Sequence, residues 1–185
     1  MKPKILFILH LPPPIHGAAM MGKYIQESEL VNSSFDCFCI NLATAGSLSD
    51  IGHISLKKLL KYFFLLKHIS HVVREIRPEL VYITPNAGGK AFFKDFIVVQ
   101  MLKSMGCKVI AHYHNKGVSV YQSKWVYNFF YKRFFSNLKV ILLAENLYKD
   151  IAKYVKREDV YICPNGIPNL RKEEFEASRK NEVSC

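Results

Sequence analysis

Two histidines separated by one residue, His112 and His114, end an apolar run in the stretch Lys108-Val-Ile-Ala-His-Tyr-His-Asn-Lys-Gly117. If the run is a strand, its period of two turns both imidazoles to one face and Tyr113 to the other. A histidine at such a strand end can donate to a sugar hydroxyl or a phosphate, or move a proton, because its unperturbed pKa lies near neutrality. His112, the deeper of the two, reads most simply as a ring satisfying a hydrogen bond. His114, nearest the sheet edge, is the candidate functional group.

A second chemical locus is the loop His10-Leu-Pro-Pro-Pro-Ile-His-Gly-Ala-Ala19, between the apolar run 4–9 and a helix expected to open at Ala18. Three prolines stiffen the loop, and Gly17 permits close backbone approach to a ligand. The following helix would aim unpaired N–H groups and the positive end of its dipole at an anion, usually phosphate. An ordinary strand-to-helix turn has the same ingredients, so both readings stay open. Thr84-Pro-Asn-Ala-Gly-Gly-Lys90 adds two glycines, an amide and a lysine where another helix begins, and could hold an acceptor. It does not match Gly-x-x-x-x-Gly-Lys-Ser/Thr, and neither Gly-x-Gly-x-x-Gly nor Gly-x-Ser-x-Gly occurs in the chain. Kinase, ATPase, classical dinucleotide-binding and α/β-hydrolase readings lose weight accordingly.

These loops need a scaffold that brings strand ends together. β-branched and aromatic runs predict strands at 5–9, 36–42, 80–84, 109–113, 140–143 and 160–163, with helices at 18–29, 56–74, 90–104, 124–135 and 146–153. Six β/α repeats with largely unbroken apolar strands imply an α/β domain: a doubly wound, Rossmann-like parallel sheet with helices on both faces. Ligands of such sheets bind beyond the carboxyl ends of the strands, where most of the chain's Gly, Asn and His are expected to gather. Residues 1–168 read as one domain, and the charged stretch 169–185 as a solvated helix or linker.

Half of the 185 residues are hydrophobic, enough for one domain with a full core. The five cysteines are scattered. Three fall in strand-like runs where a small buried thiol is unremarkable, which argues against a disulfide framework or zinc site and for a reducing, cytoplasmic compartment. The basic start is followed by an apolar run too short for a signal sequence or a membrane span. The formal charge of +11 implies attraction to polyanions: a lipid head-group surface, nucleic acid or phosphorylated substrates. Two expected helices are both basic and aromatic. Lys57 and Lys61 line up beside a broad apolar arc in 56–67, and Lys124, Asn128 and Lys132 form a stripe beside the aromatic face of 124–135. Such helices suit an anionic membrane interface or, alternatively, pack on the sheet as cover helices.

The segments PPPIHG, HYHNKG and VYICPNGIP, in that order over residues 1 to about 168, resemble the N-terminal half of a family-4 retaining glycosyltransferase of the GT-B fold. The resemblance implies a two-domain enzyme that moves a sugar from a nucleotide-sugar to a glycan or lipid-linked acceptor with retained configuration and without metal or other cofactor. The first domain would hold the acceptor and the second the nucleotide. Gly17 would lie beside the donor diphosphate, with His16 in the same loop. His114 would face the transferred sugar, Asn86, Lys90 and Lys116 would lie on the acceptor side, and Asn165 would act at the hinge. A surface-polysaccharide role would suit a cytoplasmic protein peripheral on the inner face of the membrane. The chain stops at Cys185, before the family's nucleotide-binding domain, so these residues are expected to need that domain, in cis or in trans, for turnover. Two other readings remain: a non-catalytic membrane- or polyanion-binding module, and half of a GT-B-shaped sugar-nucleotide epimerase. No nucleic-acid reader motif supports a nucleic-acid partner.

Overall fold

A computed structural model describes residues 2–13, 15, 17–42 and 56–166. The apolar runs form six strands, β1 (Lys4–Leu9), β2 (Asp36–Asn41), β3 (Leu80–Ile83), β4 (Val109–Tyr113), β5 (Lys139–Leu142) and β6 (Val160–Ile162). All pair in parallel, in the spatial order β2-β1-β3-β4-β5-β6. The order reverses at β1: the chain goes outward to β2, then returns to the other side of β1 as β3. The protein is an α/β fold with a six-stranded, all-parallel sheet.

The helices are α1 (Gly17–Glu27), α2 (Glu29–Ser34), α3 (Leu56–Ile76), α4 (Gly89–Ser104), α5 (Val118–Tyr121), α6 (Trp125–Phe135) and α7 (Tyr148–Ile151). Side chains of β1 alternate between two cores. Leu6 and Ile8 join the larger one, with Tyr62 and Ile69 of α3, Phe92 and Val99 of α4, and Tyr131 and Phe134 of α6. Ile5, Phe7 and Leu9 form the smaller, against Ile25 of α1, Val31 of α2 and Tyr82 of β3. The period of two thus divides one strand between both faces of the sheet.

The expected helix at 18–29 ends early, because the Ser28 hydroxyl accepts from the Val31 N–H at 3.3 Å and starts a new helix, α2. Gly22 lets α1 settle on the loop after β1, since a Cβ there would collide with the His10 carbonyl oxygen. The cysteines are less buried than expected: Cys37 and Cys107 are half-buried, while Cys39 and Cys163 are exposed, and all four are free thiols. Cys37 and Cys39 lie on β2 at one sheet margin, and Cys163 follows β6 at the other.

One lysine closes the carboxyl end of α6. Lys103 of α4 donates to the carbonyls of Arg133, Phe134 and Ser136 at 3.2, 2.6 and 2.6 Å, capping the carboxyl end of α6 with a cation. Burial pushes its pKa down to about 8, so it remains largely charged at neutral pH. Lys103→Met keeps the stem but strands three carbonyls, and is expected to lower unfolding free energy by roughly 2 kcal/mol in urea titration at pH 7. An unchanged midpoint would show that water replaces the cap at no cost.

Candidate functional site

β1, β3 and β4 are consecutive neighbours and end at one rim, where their following loops interlock through side-chain oxygens. The His10 N–H donates to Thr84 Oγ1 (3.4 Å), the Leu11 N–H to Asn41 Oδ1 (3.2 Å) and the Ala87 N–H to Asn115 Oδ1 (3.1 Å). Each bond ties one loop to the next. The rim is therefore held by short polar residues just past the strands, where backbone leaves the ladder and needs new partners.

His112 and His114 share one face, as the alternation requires, with ring centroids 4.2 Å apart. That face carries a row of rings from β1 to β4: Phe7 lies 5.4 Å from Tyr82, and Tyr82 lies 5.8 Å from His112, edge to face. The Tyr82 hydroxyl bonds His112 Nδ1. Burial pushes the Tyr82 pKa far up, so the phenol keeps its proton; when that proton is donated to Nδ1, the His112 ring carries its own on Nε2. His112 is 5% exposed, and its Nε2 has no partner in hydrogen-bonding geometry among the described residues. Both ring nitrogens of His114 are likewise buried and unpartnered among them. Three such nitrogens in adjacent rings form an unsatisfied polar cluster, each costing about 1–3 kcal/mol if left dry.

Electrostatics keep both rings neutral. Burial pushes His112 down to about 3, with a smaller downward contribution from His114 and an opposing one from the Cys163 backbone. Burial also lowers His114, against an upward pull from the Asn165 side chain. The Cys163 backbone and Asn165 thus act on the two rings from the segment after β6, without completing normal hydrogen bonds to the three nitrogens.

The other expected site residues divide into several groups. Asn165, exposed on the segment leaving β6, is brought beside His114. Asn86 donates through its backbone N–H and its Nδ2 to Asp95 Oδ2, both at 2.8 Å, leaving its side-chain oxygen for other use. Lys90, on the first turn of α4, and Lys116, after β4, are exposed cations on rim segments. Gly17 opens α1 at the same rim, exposed and with open space around its Cα. Its loop follows β1, whose axis is two strand spacings, or about 10 Å, from that of β4. His16 lies outside the described residues. No cluster of His, Cys, Asp or Glu suited to a metal ion is present among the described residues.

Two carboxylates at the rim were not singled out from the sequence. Asp95 reads there as an ordinary helix acid between Lys94 and Phe96. It is 3% exposed, and burial raises its pKa to about 6, against the hydrogen bonds from Asn86 and the charge of Lys94. Asp150 of α7 accepts from the N–H groups of Gly117, Val118 and Ser119 at 2.8, 3.0 and 3.0 Å and from the Ser119 hydroxyl. Although burial opposes it, these bonds hold its pKa below the usual carboxylate value. Gly117 takes φ 149°, which favours glycine, and lets the backbone turn toward Asp150. Both acids are thus committed to the loops they hold.

The histidines and Asp95 act on stability in opposite senses. His112 is neutral when folded down to about pH 3 but protonates near 6.5 when unfolded, so its stabilisation is present above 6.5 and is lost as pH falls; His114 acts in the same direction. Asp95 binds its proton near pH 6 when folded and near 3.8 when unfolded, so stability is gained as pH falls through that window. From pH 6.5 to 5, His112 alone withdraws roughly 2 kcal/mol, partly offset by Asp95. Urea unfolding of Asp95→Asn is therefore expected to show a steeper loss between pH 6 and 4 than the parent; an identical slope would contradict the burial of its charge. Comparison with protein-family models, with curated proteins and with solved structures yielded no match to the chain.

Proposed function

We propose that this chain is the acceptor-binding N-terminal unit of a retaining glycosyltransferase, a doubly wound, Rossmann-like half of a GT-B architecture. It would work on a nucleotide-sugar and a glycan or lipid-linked acceptor. The observation that carries the reading is the pair of neutral, adjacent imidazoles at the end of β4, with three buried ring nitrogens lacking partners among the described residues. A sugar hydroxyl both donates and accepts, and so matches a pair that presents a fixed Nε2–H on His112 and one donor and one acceptor on His114. Uncharged rings suit a neutral sugar better than a phosphate. The reversal of strand order between β1 and β3 supports a ligand crevice at this rim.

The division of labour follows from charge. His114 orients the transferred sugar by a hydroxyl contact, and His112, held by Tyr82, stiffens the floor beneath it. The Gly17 N–H, at the positive end of α1, meets negative charge developing on the donor diphosphate. Lys90 and Lys116 draw an acceptor bearing phosphate or carboxylate, and Asn86 offers its side-chain oxygen. Asn165 sits where the chain passes toward a nucleotide-gripping domain, and its proximity to His114 couples that passage to sugar binding. No metal enters this arrangement.

Saturation-transfer NMR on the chain, with UDP- and GDP-hexoses and short oligosaccharides as probes, tests the proposal. Saccharide or nucleotide-sugar binding in the millimolar range is expected, weakened by about tenfold in His114→Ala, the equivalent of 1.4 kcal/mol for a lost hydroxyl contact. Absence of binding by every probe, or binding indifferent to His114→Ala, would refute it.

A further inference from the structure

The long helix α3 carries two apolar stripes, only one of which the core uses. Tyr62, Ile69 and Val73 lie on the side packed into the larger core. Leu56, Leu59, Leu60, Phe63 and Phe64 follow the spacing i, i+3, i+4, i+7, i+8 and are 73, 60, 51, 51 and 63% exposed. At 100° per residue this second stripe is centred about 130° around the helix from the first. Its next position is Lys67, whose ammonium sits 4.8 Å from the Phe63 ring.

The same pattern recurs on α6, whose buried side contributes Tyr131, Phe134 and Phe135 to the core. Its outer side exposes Trp125 at 81% and Phe129 at 51%, with the Arg133 guanidinium 5.3 Å from the Phe129 ring. Helix α4 lies between the two. The Tyr62 hydroxyl of α3 donates to the Lys94 carbonyl at 2.6 Å, and Phe96 of α4 meets Phe130 of α6 at 4.8 Å. All three helices pack into one core on one side of the sheet, so their outward sides form a common surface.

Charge selects what that surface meets. The three helices hold ten Lys or Arg against two acids, and one of those acids, Asp95, is buried. Setting aside Lys103, which caps α6, and Lys90 at the rim, Lys61, Lys67, Arg74, Lys94, Lys132 and Arg133 are exposed cations on these helices. Cores of protein–protein interfaces are depleted in lysine, whereas an anionic head-group layer takes lysine beside aromatic and leucine side chains, the rings at head-group depth and the ammonium groups snorkelling outward. We propose that the outward side of α3, α4 and α6 is a docking surface for an anionic lipid bilayer, with Phe63, Phe64 and Trp125 entering the head-group region. The assignment does not depend on the histidine site.

Trp125 is the chain's one tryptophan and so reports on insertion directly. The full chain is mixed with vesicles of phosphatidylcholine alone or containing about 30 mol% phosphatidylglycerol, and followed by sedimentation and tryptophan emission. Co-sedimentation and a blue shift are expected with the anionic vesicles only, both diminished at about 1 M salt, where charges are screened beyond roughly 3 Å. The double variant Phe63→Ser/Phe64→Ser should lose at least about tenfold in partitioning, and Lys61→Glu/Lys67→Glu should remove the anionic preference, each with an unchanged circular dichroism spectrum. Equal binding to neutral vesicles, no binding, or a blue shift indifferent to these substitutions overturns the proposal. So does concentration-dependent self-association abolished by the serine pair, which would give the face to a second copy of the chain.

Discussion

All six strands run in the same direction, and the positions of the rim residues follow from that constraint. In a parallel sheet each strand must deliver its carboxyl end to the same edge, so residues far apart in sequence leave the ladder together. The register carries this through: Ile8 pairs with Ile83, and Ile83 with Ala111, so the next residues of β1, β3 and β4 emerge side by side. At or just past these ends stand His10, Thr84 and His112, and the Thr84 hydroxyl accepts from the His10 N–H, which the ladder no longer satisfies. Reversing any one strand would scatter His10, Thr84 and His112 to opposite ends.

At that edge the protein spends its carboxylates on itself. Asp95 gathers the Asn86 backbone and amide, Asp150 gathers the start of α5, and Glu145 is paired with Arg157 at 2.6 Å. What remains is a pair of neutral imidazoles with buried, unpartnered nitrogens, and exposed lysines on the neighbouring loops. A carboxylate free beside His112 would favour the charged ring and change the chemistry to that of an anion clamp. Burial without such a partner produces the opposite, two rings that offer hydrogen bonds without charge.

Much of this was legible in the sequence because apolar strand runs and period two are local signals. The six strands fall within a residue or so of their expected ends, and the shared face of His112 and His114 follows from spacing alone. The shorter helices were not legible: α2 needs the Ser28 cap, and α5 is started by a carboxylate that lies about thirty residues later in the chain. The partner of Asp95 was hidden for the same reason, since only the fold brings Asn86 to it. On the basic aromatic helices, the sequence left core and membrane side by side as alternatives. The fold divides each helix lengthwise, with Tyr131 and Phe134 inward on α6 and Trp125 and Phe129 outward. A broad apolar arc cannot say by itself which part the sheet will cover.

The proposed sugar site rests on His112 being a neutral ring, held by Tyr82 and burial with its proton on Nε2, beside His114, whose pKa burial also lowers. Long-range proton–nitrogen correlation spectra of the chain labelled with nitrogen-15 at histidine measure this directly. A single Nε2–H tautomer is expected for His112, persisting without protonation to about pH 4 and turning into a tautomer mixture in Tyr82→Phe. A His112 ring that titrates near 6.5, or that populates both tautomers with Tyr82 intact, would contradict it.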